Sequence, residues 1–267
     1  MPELPEVEQT RRRLERELAG KRIERVVVRA PKLRLPIPHE LHTSLPGRTV
    51  RAVERRGKYL LFHCETGWLI VHLGMTGFLR LLPGTAPPGK HDHFDIVFED
   101  GAVLRFHDPR KFGTVVWTTD PPATHPLLAG IGPEPLTAAF DGAYLFGVSR
   151  GRRVAVKQLL MNGAVVAGVG NIYANEALFR AGIRPDRSAS SLSRAECGRL
   201  VRTVREVLQS SIDQGSTYRV AEGTVAYHPL AFEVYGRGEG ACTRCGGALE
   251  EIRLGNRSTV YCPRCQR

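Results

Sequence analysis

Apolar positions change their period twice along the chain. Residues 5–19 place Val7, Leu14 and Leu18 on one helical face, with Pro5 suited to the first helical position, Glu6 and Glu8 in the first turn and Gly20 past the end. This spacing predicts a short amphipathic helix, and the consecutive Arg11, Arg12 and Arg13 cannot all be buried on it. From residue 23 the pattern becomes short β-like runs, at 23–28, 50–53, 59–63, 68–73, 94–98, 103–106 and 114–118. Glu99-Asp100-Gly101 is a turn signal that joins two of them as a hairpin. Many short strands without helical patterns between them predict a mostly antiparallel sandwich or barrel.

A proline-rich stretch, 121–136, marks a domain boundary. Beyond it the period turns helical. Ser193 and Glu196 have capping-box spacing, and Leu200, Val204, Val207, Leu208 and Ile212 recur behind them at helical intervals. No internal repeat or low-complexity segment interrupts the sequence. The reading is an α+β protein with an N-terminal β-sandwich at 1–120, a linker at 121–136, a helical domain at 137–233 and a small separate unit at 234–267.

That last unit carries the most specific spacing in the chain. Cys242-x2-Cys245 and Cys262-x2-Cys265, sixteen residues apart, can form two knuckles that supply four thiolates to one tetrahedral Zn²⁺. Four cysteines fill the coordination shell, so the metal is structural. A pair of disulfides is the other reading, and nothing in the sequence suggests an oxidising compartment. Cys64 and Cys197, in a strand and a helix, read as small buried residues.

Charge narrows the choice of partner. Lys and Arg number 38 against 27 Asp and Glu, a formal net charge of +11 over 267 residues, which calls for a polyanion: nucleic acid or an anionic membrane surface. A composition of 42% hydrophobic and 24% charged residues excludes a disordered or fibrous chain. No apolar run reaches the roughly 20 residues that a bilayer demands. The charged N-terminus lacks the apolar core of a secretory signal, so the expectation is a soluble, cytoplasmic protein. Arg253, Arg257, Arg264 and Arg267 lie in the cysteine unit, where they either reach a phosphate backbone or serve only to solubilise it.

Once Met1 is removed the chain begins with Pro2, whose free secondary amine has a reference pKa near 8 and is partly neutral at neutral pH. A neutral amine can attack an electrophilic carbon and form an iminium ion. A nearby cation such as Lys58 would depress its pKa further, and Glu3 is the adjacent carboxyl for proton transfer. Proline at position two is also commonplace in proteins without such chemistry, so composition alone leaves both readings open.

With these features in view, the whole chain resembles the bacterial formamidopyrimidine-DNA glycosylases of the Fpg/Nei family. The resemblance rests on PELPEVE at 2–8, RRGKYLLF at 55–62, HLGMTG at 72–77, KHDH at 90–93, DPRKFG at 108–113, IGPEPL at 131–136, VAGVGNIYANEALFRAGI at 166–183, VYGR at 234–237 and the four-cysteine finger. It implies a helix-two-turns-helix element in the helical domain, a zinc-finger β-hairpin, and a bifunctional glycosylase/lyase of base-excision repair that acts as a monomer on damaged double-stranded DNA near the nucleoid. In the family's terms Pro2 attacks the sugar C1′ of the damaged nucleotide, Glu3 protonates the opening sugar, Lys58 assists the eliminations, and Arg257 contributes to the final δ-elimination. Met75, Arg110 and Phe112 match the residues that fill the space left by an extruded base. His91, Arg152 and Asn171 match DNA-backbone contacts, with Arg152 standing where the family has lysine. Without the resemblance, Met75 and Phe112 read as core residues, Gly168, Gly170 and Asn171 as an interhelical turn, and His91 with His93 as half of a metal site lacking a third ligand.

Two departures bear on the lesion. Asn162 replaces the family's aspartate before Gly163, and the segment between Gln214 and Val234 is several residues shorter than the loop that closes over 8-oxoguanine in the family. Tyr218, Tyr227 or His228 are candidates to stack on a base there. The leading expectation is removal of oxidised purines (8-oxoguanine and formamidopyrimidines). The same chemistry on oxidised pyrimidines or abasic sites is the alternative, against which Leu4 speaks. A non-catalytic damage-binding protein is the third class, and intact Pro2, Glu3 and Lys58 argue against it.

Overall fold

A computed structural model describes residues 2–215, 218–221, 224–227 and 231–267, with 218–221 and 224–227 described in backbone alone. The chain divides into two compact units, Met1–Ala129 with Gly215–His228, and Gly130–Gln214 with Pro229–Arg267.

The first unit opens with α1 (Leu4–Leu18), followed by β1 (Ile23–Val28), the short α2 (Leu41–Ser44), β2 (Ala52–Arg56), β3 (Tyr59–His63), β4 (Trp68–His72), β5 (Phe78–Pro83), β6 (Asp92–Phe98), β7 (Ala102–His107) and β8 (Thr114–Thr118). These strands form two four-stranded sheets, ordered β1-β6-β7-β5 and β2-β3-β4-β8, in which every neighbour pair is antiparallel. One core joins them: Leu14 and Leu18 from α1, Phe62, Leu69 and Val71 from one sheet, and Phe94, Ile96 and Phe106 from the other. Each such side chain contributes about 1.5–3 kcal/mol on burial. The expected sandwich is present.

Its details differ from the expectation in several places. Helix α1 starts at Leu4 rather than at residue 5, because Glu3 is its N-cap and forms a capping box with Glu6, whose carboxylate accepts the Glu3 N–H at 2.9 Å. The run predicted at 50–53 is β2 at Ala52–Arg56, continuing through charged residues that pair with Tyr59–Leu61 across a tight turn. Strand β5 was not predicted at all. It carries Arg80, which donates to buried Asp92 on β6 at 2.8 Å. Strand β6 breaks the alternation rule because both its faces are covered: Asp95 is buried too, and accepts from Arg105 at 2.9 Å and Arg29 at 2.7 Å.

The second unit contains α3 (Gly142–Ser149), α4 (Val156–Met161), α5 (Asn171–Ala181) and α6 (Arg194–Asp213). The predicted capping box of α6 is formed, with Ser193 Oγ accepting the Glu196 N–H at 3.2 Å and Glu196 Oε2 accepting the Ser193 N–H at 2.8 Å. Leu200, Val204, Val207, Leu208 and Ile212 form its buried stripe. Backbone of the first unit forms the hairpin β9 (Tyr218–Ala221) and β10 (Thr224–Tyr227), whereas the side chains of Tyr218, Tyr227 and His228 lie outside the described residues. The chain ends in the second unit with β11 (Glu250–Leu254) paired to β12 (Arg257–Tyr261). Among the described residues no helix is long and apolar enough to cross a membrane.

Candidate active site, nucleic-acid interface and metal centre

In the first unit, Pro2 and Glu3 are buried at the start of α1. Lys58 is half-buried in the two-residue turn that joins β2 to β3, after Gly57, whose φ of 57° is left-handed. Helix α1 packs on β2, where Arg11 donates to the Val53 carbonyl and Glu15 accepts the Val53 N–H. The amine end and the lysine turn thus stand on elements that pack against each other within one unit.

Lys58 also acts on His72, at the end of β4. Burial, and then the positive charges of Lys58 and Arg34, hold that imidazole down at about 4. The ring is therefore neutral at neutral pH. Its Nδ1 accepts the Gly74 N–H at 3.0 Å, so the ring hydrogen belongs on Nε2. From Gly74 the chain enters the turn bearing Met75. A Cβ at Gly74 would lie 2.6 Å from Gly113 N, so glycine lets this turn press against the 112–113 backbone.

Asp108 ties the two loops together. Its fully buried carboxylate accepts from Thr76 Oγ1 at 3.2 Å, Gly113 N at 2.8 Å and Arg110 N at 3.3 Å. Phe112 is consequently presented 44% exposed, with the Arg110 guanidinium 4.7 Å from its ring centroid. Met75 is half-buried. Neither is the core residue that hydropathy alone suggests. His91 stands half-buried with its ring 5.8 Å from that of His107. His93 is buried, and its Nε2 meets the Asp108 carbonyl at 3.0 Å.

In the second unit, the turns between α4 and α5 contain Gly168 with φ 78°, and Gly170 is the N-cap of α5. Asn171 is the first residue of that helix, where unpaired N–H groups favour an anion. Its Oδ1 is buried and accepts no hydrogen bond within the described chain. Arg152 is exposed in the loop before α4, beside the equally exposed Arg153.

Arg257 opens β12 directly after a turn whose Gly255 and Asn256 are left-handed, with φ of 55° and 60°. The strand behind it is clamped. Fully buried Lys157 on α4 donates to the Ser258 carbonyl and to Thr259 Oγ1, each at 2.7 Å, and Asn175 Oδ1 on α5 accepts the Val260 N–H at 3.0 Å. Sequence reasoning missed Lys157, because a lysine in a helix is ordinarily solvated. The signal available was its place between the apolar Val156 and Leu159-Leu160.

The four finger cysteines bring their Sγ atoms within 4.8 Å of one another. Cys242 and Cys265 are 3.8 Å apart and Cys245 and Cys262 3.6 Å. A tetrahedron with Zn–S bonds of about 2.3 Å puts its sulfurs about 3.8 Å apart. The spacing fits one zinc ion with no open position, and it is far too long for S–S bonds of about 2.05 Å. Phe179, Val234, Leu249 and Val260 make the small core around the cysteines. Cys64 and Cys197 are buried outside this group, and burial pushes the Cys64 thiol up to about 12.

Family models for the formamidopyrimidine-DNA glycosylase N-terminal domain, its H2TH domain and a zinc finger found in FPG and IleRS match residues 1–115, 131–222 and 241–267. Proteins named formamidopyrimidine-DNA glycosylase are 86% identical in Geobacter metallireducens and 79% in Pelobacter propionicus, each over 100% of both chains. A crystal structure of a Lactococcus lactis FPG variant with Fapy-dG-containing DNA matches at a TM-score of 0.92 and 34% identity over 100% of both chains. The same organism's Fpg with abasic-site DNA matches at 0.91 and 33% over 99% of both.

Proposed function

The chain belongs to the formamidopyrimidine-DNA glycosylase family, and from that membership we propose a base-excision-repair enzyme that removes oxidised purines from duplex DNA and then cleaves the strand. It is a DNA glycosylase with a zinc finger, it acts on damaged double-stranded DNA, and it works as a monomer beside the nucleoid in the cytoplasm. The domain limits read from the sequence, 1–120, 121–136, 137–233 and 234–267, serve as its sandwich, linker, helix-two-turns-helix domain and finger, except that the β9–β10 hairpin within 137–233 groups with the first compact unit.

Pro2, freed of Met1, is the nucleophile. Its amine attacks C1′, the base leaves, and the resulting iminium withdraws electrons from C2′, so that a proton is lost there and the 3′ phosphate departs. A second elimination expels the 5′ phosphate. Glu3 supplies the proton to the opening sugar, Lys58 keeps the amine neutral and assists proton removal, and Arg257 serves the second elimination. Met75, Arg110 and Phe112 fill the gap left by the extruded nucleotide, while His91, Arg152 and Asn171 hold the phosphate backbone.

The observation that carries this reading is the presented Phe112–Arg110 pair, locked by Asp108 to the loop of Met75 and linked through His72 to Lys58. The test is borohydride trapping of the zinc-loaded protein without Met1 on duplexes that differ only in the lesion. Covalent complexes are expected with 8-oxoguanine and formamidopyrimidine. Failure to trap on every lesion and abasic duplex rejects the mechanism, and trapping on thymine glycol but not on 8-oxoguanine transfers the enzyme to oxidised pyrimidines.

A further inference from the structure

Two motif residues have no part in the chemistry described so far, yet they meet. Glu8 lies on α1, and Arg55 lies on β2, two residues before the left-handed Gly57. Arg55 Nε donates to Glu8 Oε2 at 3.1 Å, and a second donor of the same guanidinium, Nη1, reaches the Gly57 carbonyl at 3.0 Å. The pair is partly desolvated, with side chains 11% and 12% exposed, and a pair of that kind holds geometry better than a surface pair. Glu8 is itself fixed. Its Oε1 accepts from Arg12 at 2.8 Å and from Arg11 at 3.0 Å. Burial raises the Glu8 pKa and the bonds from Arg11, Arg12 and Arg55 lower it, with the guanidinium contacts prevailing, so the carboxylate stays charged.

Docking of α1 on β2 is already secured at Val53 by Arg11 and Glu15. The second arm of Arg55 therefore reaches past the strand, to the carbonyl immediately before Lys58. We propose that Arg55 is a positioning residue, which bridges Glu8 on the Pro2-bearing helix to the Gly57 carbonyl and so fixes where the Lys58 turn stands relative to the Pro2 amine. This rests on the roles proposed above for Pro2 and Lys58. A displacement of even about 1 Å between reacting and assisting groups costs up to a hundredfold in rate.

The test is a double-mutant cycle on single-turnover imine formation with an abasic duplex, using zinc-loaded protein without Met1, with duplex affinity measured in parallel. Arg55→Met is expected to slow imine formation on the order of tenfold while leaving duplex affinity within about twofold. In a Lys58→Met background the same change is expected to alter the rate by less than about twofold, because its target is gone. An equal loss in both backgrounds, or no loss in either, overturns the proposal. Lys58→Met alone leaving the rate untouched instead refutes the role of Lys58 itself, a distinguishable failure. If Arg55→Met does not fold, Glu8→Gln enters the same cycle with the same expected non-additivity, and Arg55→Lys, which keeps one donor, is expected to recover part of the rate.

Discussion

The amine end and the finger both present a reactive or cationic residue at the edge of a folded element, but they are held by different physics. Pro2 and Glu3 lead into α1 and Lys58 sits in a β-turn, both backed by the large sandwich core, with ion pairs as the final adjustment. Arg257 sits on a two-stranded hairpin that shares a core of only six buried residues, two of them zinc-site cysteines and one, Phe179, supplied by α5. A hairpin of that size is marginal in water, so metal and the clamp from α4 and α5 must replace the missing hydrophobic area. On the proposed roles, the comparison teaches that the chemistry would be divided between a part that folding alone secures and a part that folding plus a ligand secures.

Zinc removal should separate the two regions most widely. Structural zinc contributes about 10–16 kcal/mol in finger peptides, and its loss here is expected to unfold the hairpin and weaken duplex binding on the order of a hundredfold by withdrawing several arginines from the phosphates. The sandwich is expected to keep its cooperative unfolding. Duplex titration and calorimetry before and after verified chelation check both, and unchanged binding would erase the distinction drawn here.

A smaller effect tests the clamp. Lys157→Met leaves the Ser258 carbonyl and Thr259 hydroxyl without their buried donor, and about 2 kcal/mol of stability is expected to go from the zinc-loaded hairpin, read as faster hydrogen exchange at Val260. Because Arg257 loosens with the strand, more cleaved DNA should end at the β-elimination product, while Pro2 trapping persists. Equal damage to both steps would show that the regions are not independent.

How far each region could be read from sequence follows the same division. Short-range signals were sufficient for α1, α6, most sandwich strands and the four cysteines, because a period, a cap or a C-x2-C spacing is set by neighbours in the chain. The residues that fix the sites depend on partners far away in sequence. Asp108 stands within a quoted motif but reveals its role only when Thr76 and Gly113 converge on it. Lys157 reads as a solvated helix residue until β12, a hundred positions on, supplies its acceptors. Strand β5 and the aspartates of β6 were obscured alike, since the arginines that neutralise Asp92 and Asp95 come from neighbouring strands and the chain before β6.

Acid sharpens the contrast more gently. An unfolded chain protonates His72 near 6.5, whereas the folded site takes up that proton only near 4, so the unfolded state binds more protons in that window. The stabilisation is complete above about pH 6.5 and is lost as pH falls toward 4, at no more than about 1.4 kcal/mol per pH unit. In the second unit Glu196, held at about 2 by its bond from Arg187, loses its contribution only below about 4.5. Urea unfolding of His72→Asn, which keeps an acceptor for the Gly74 N–H, is expected to show a shallower decline between pH 6.5 and 4.5. An unaltered slope would remove His72 from this account.

The central claim is that the nucleophile is the N-terminal amine. Peptide mapping of the borohydride-reduced complex tests it most directly, by locating the residue that carries the DNA fragment. The account predicts the adduct on the Pro2 nitrogen of the N-terminal peptide. An adduct on Lys58, or on any other lysine, would contradict it.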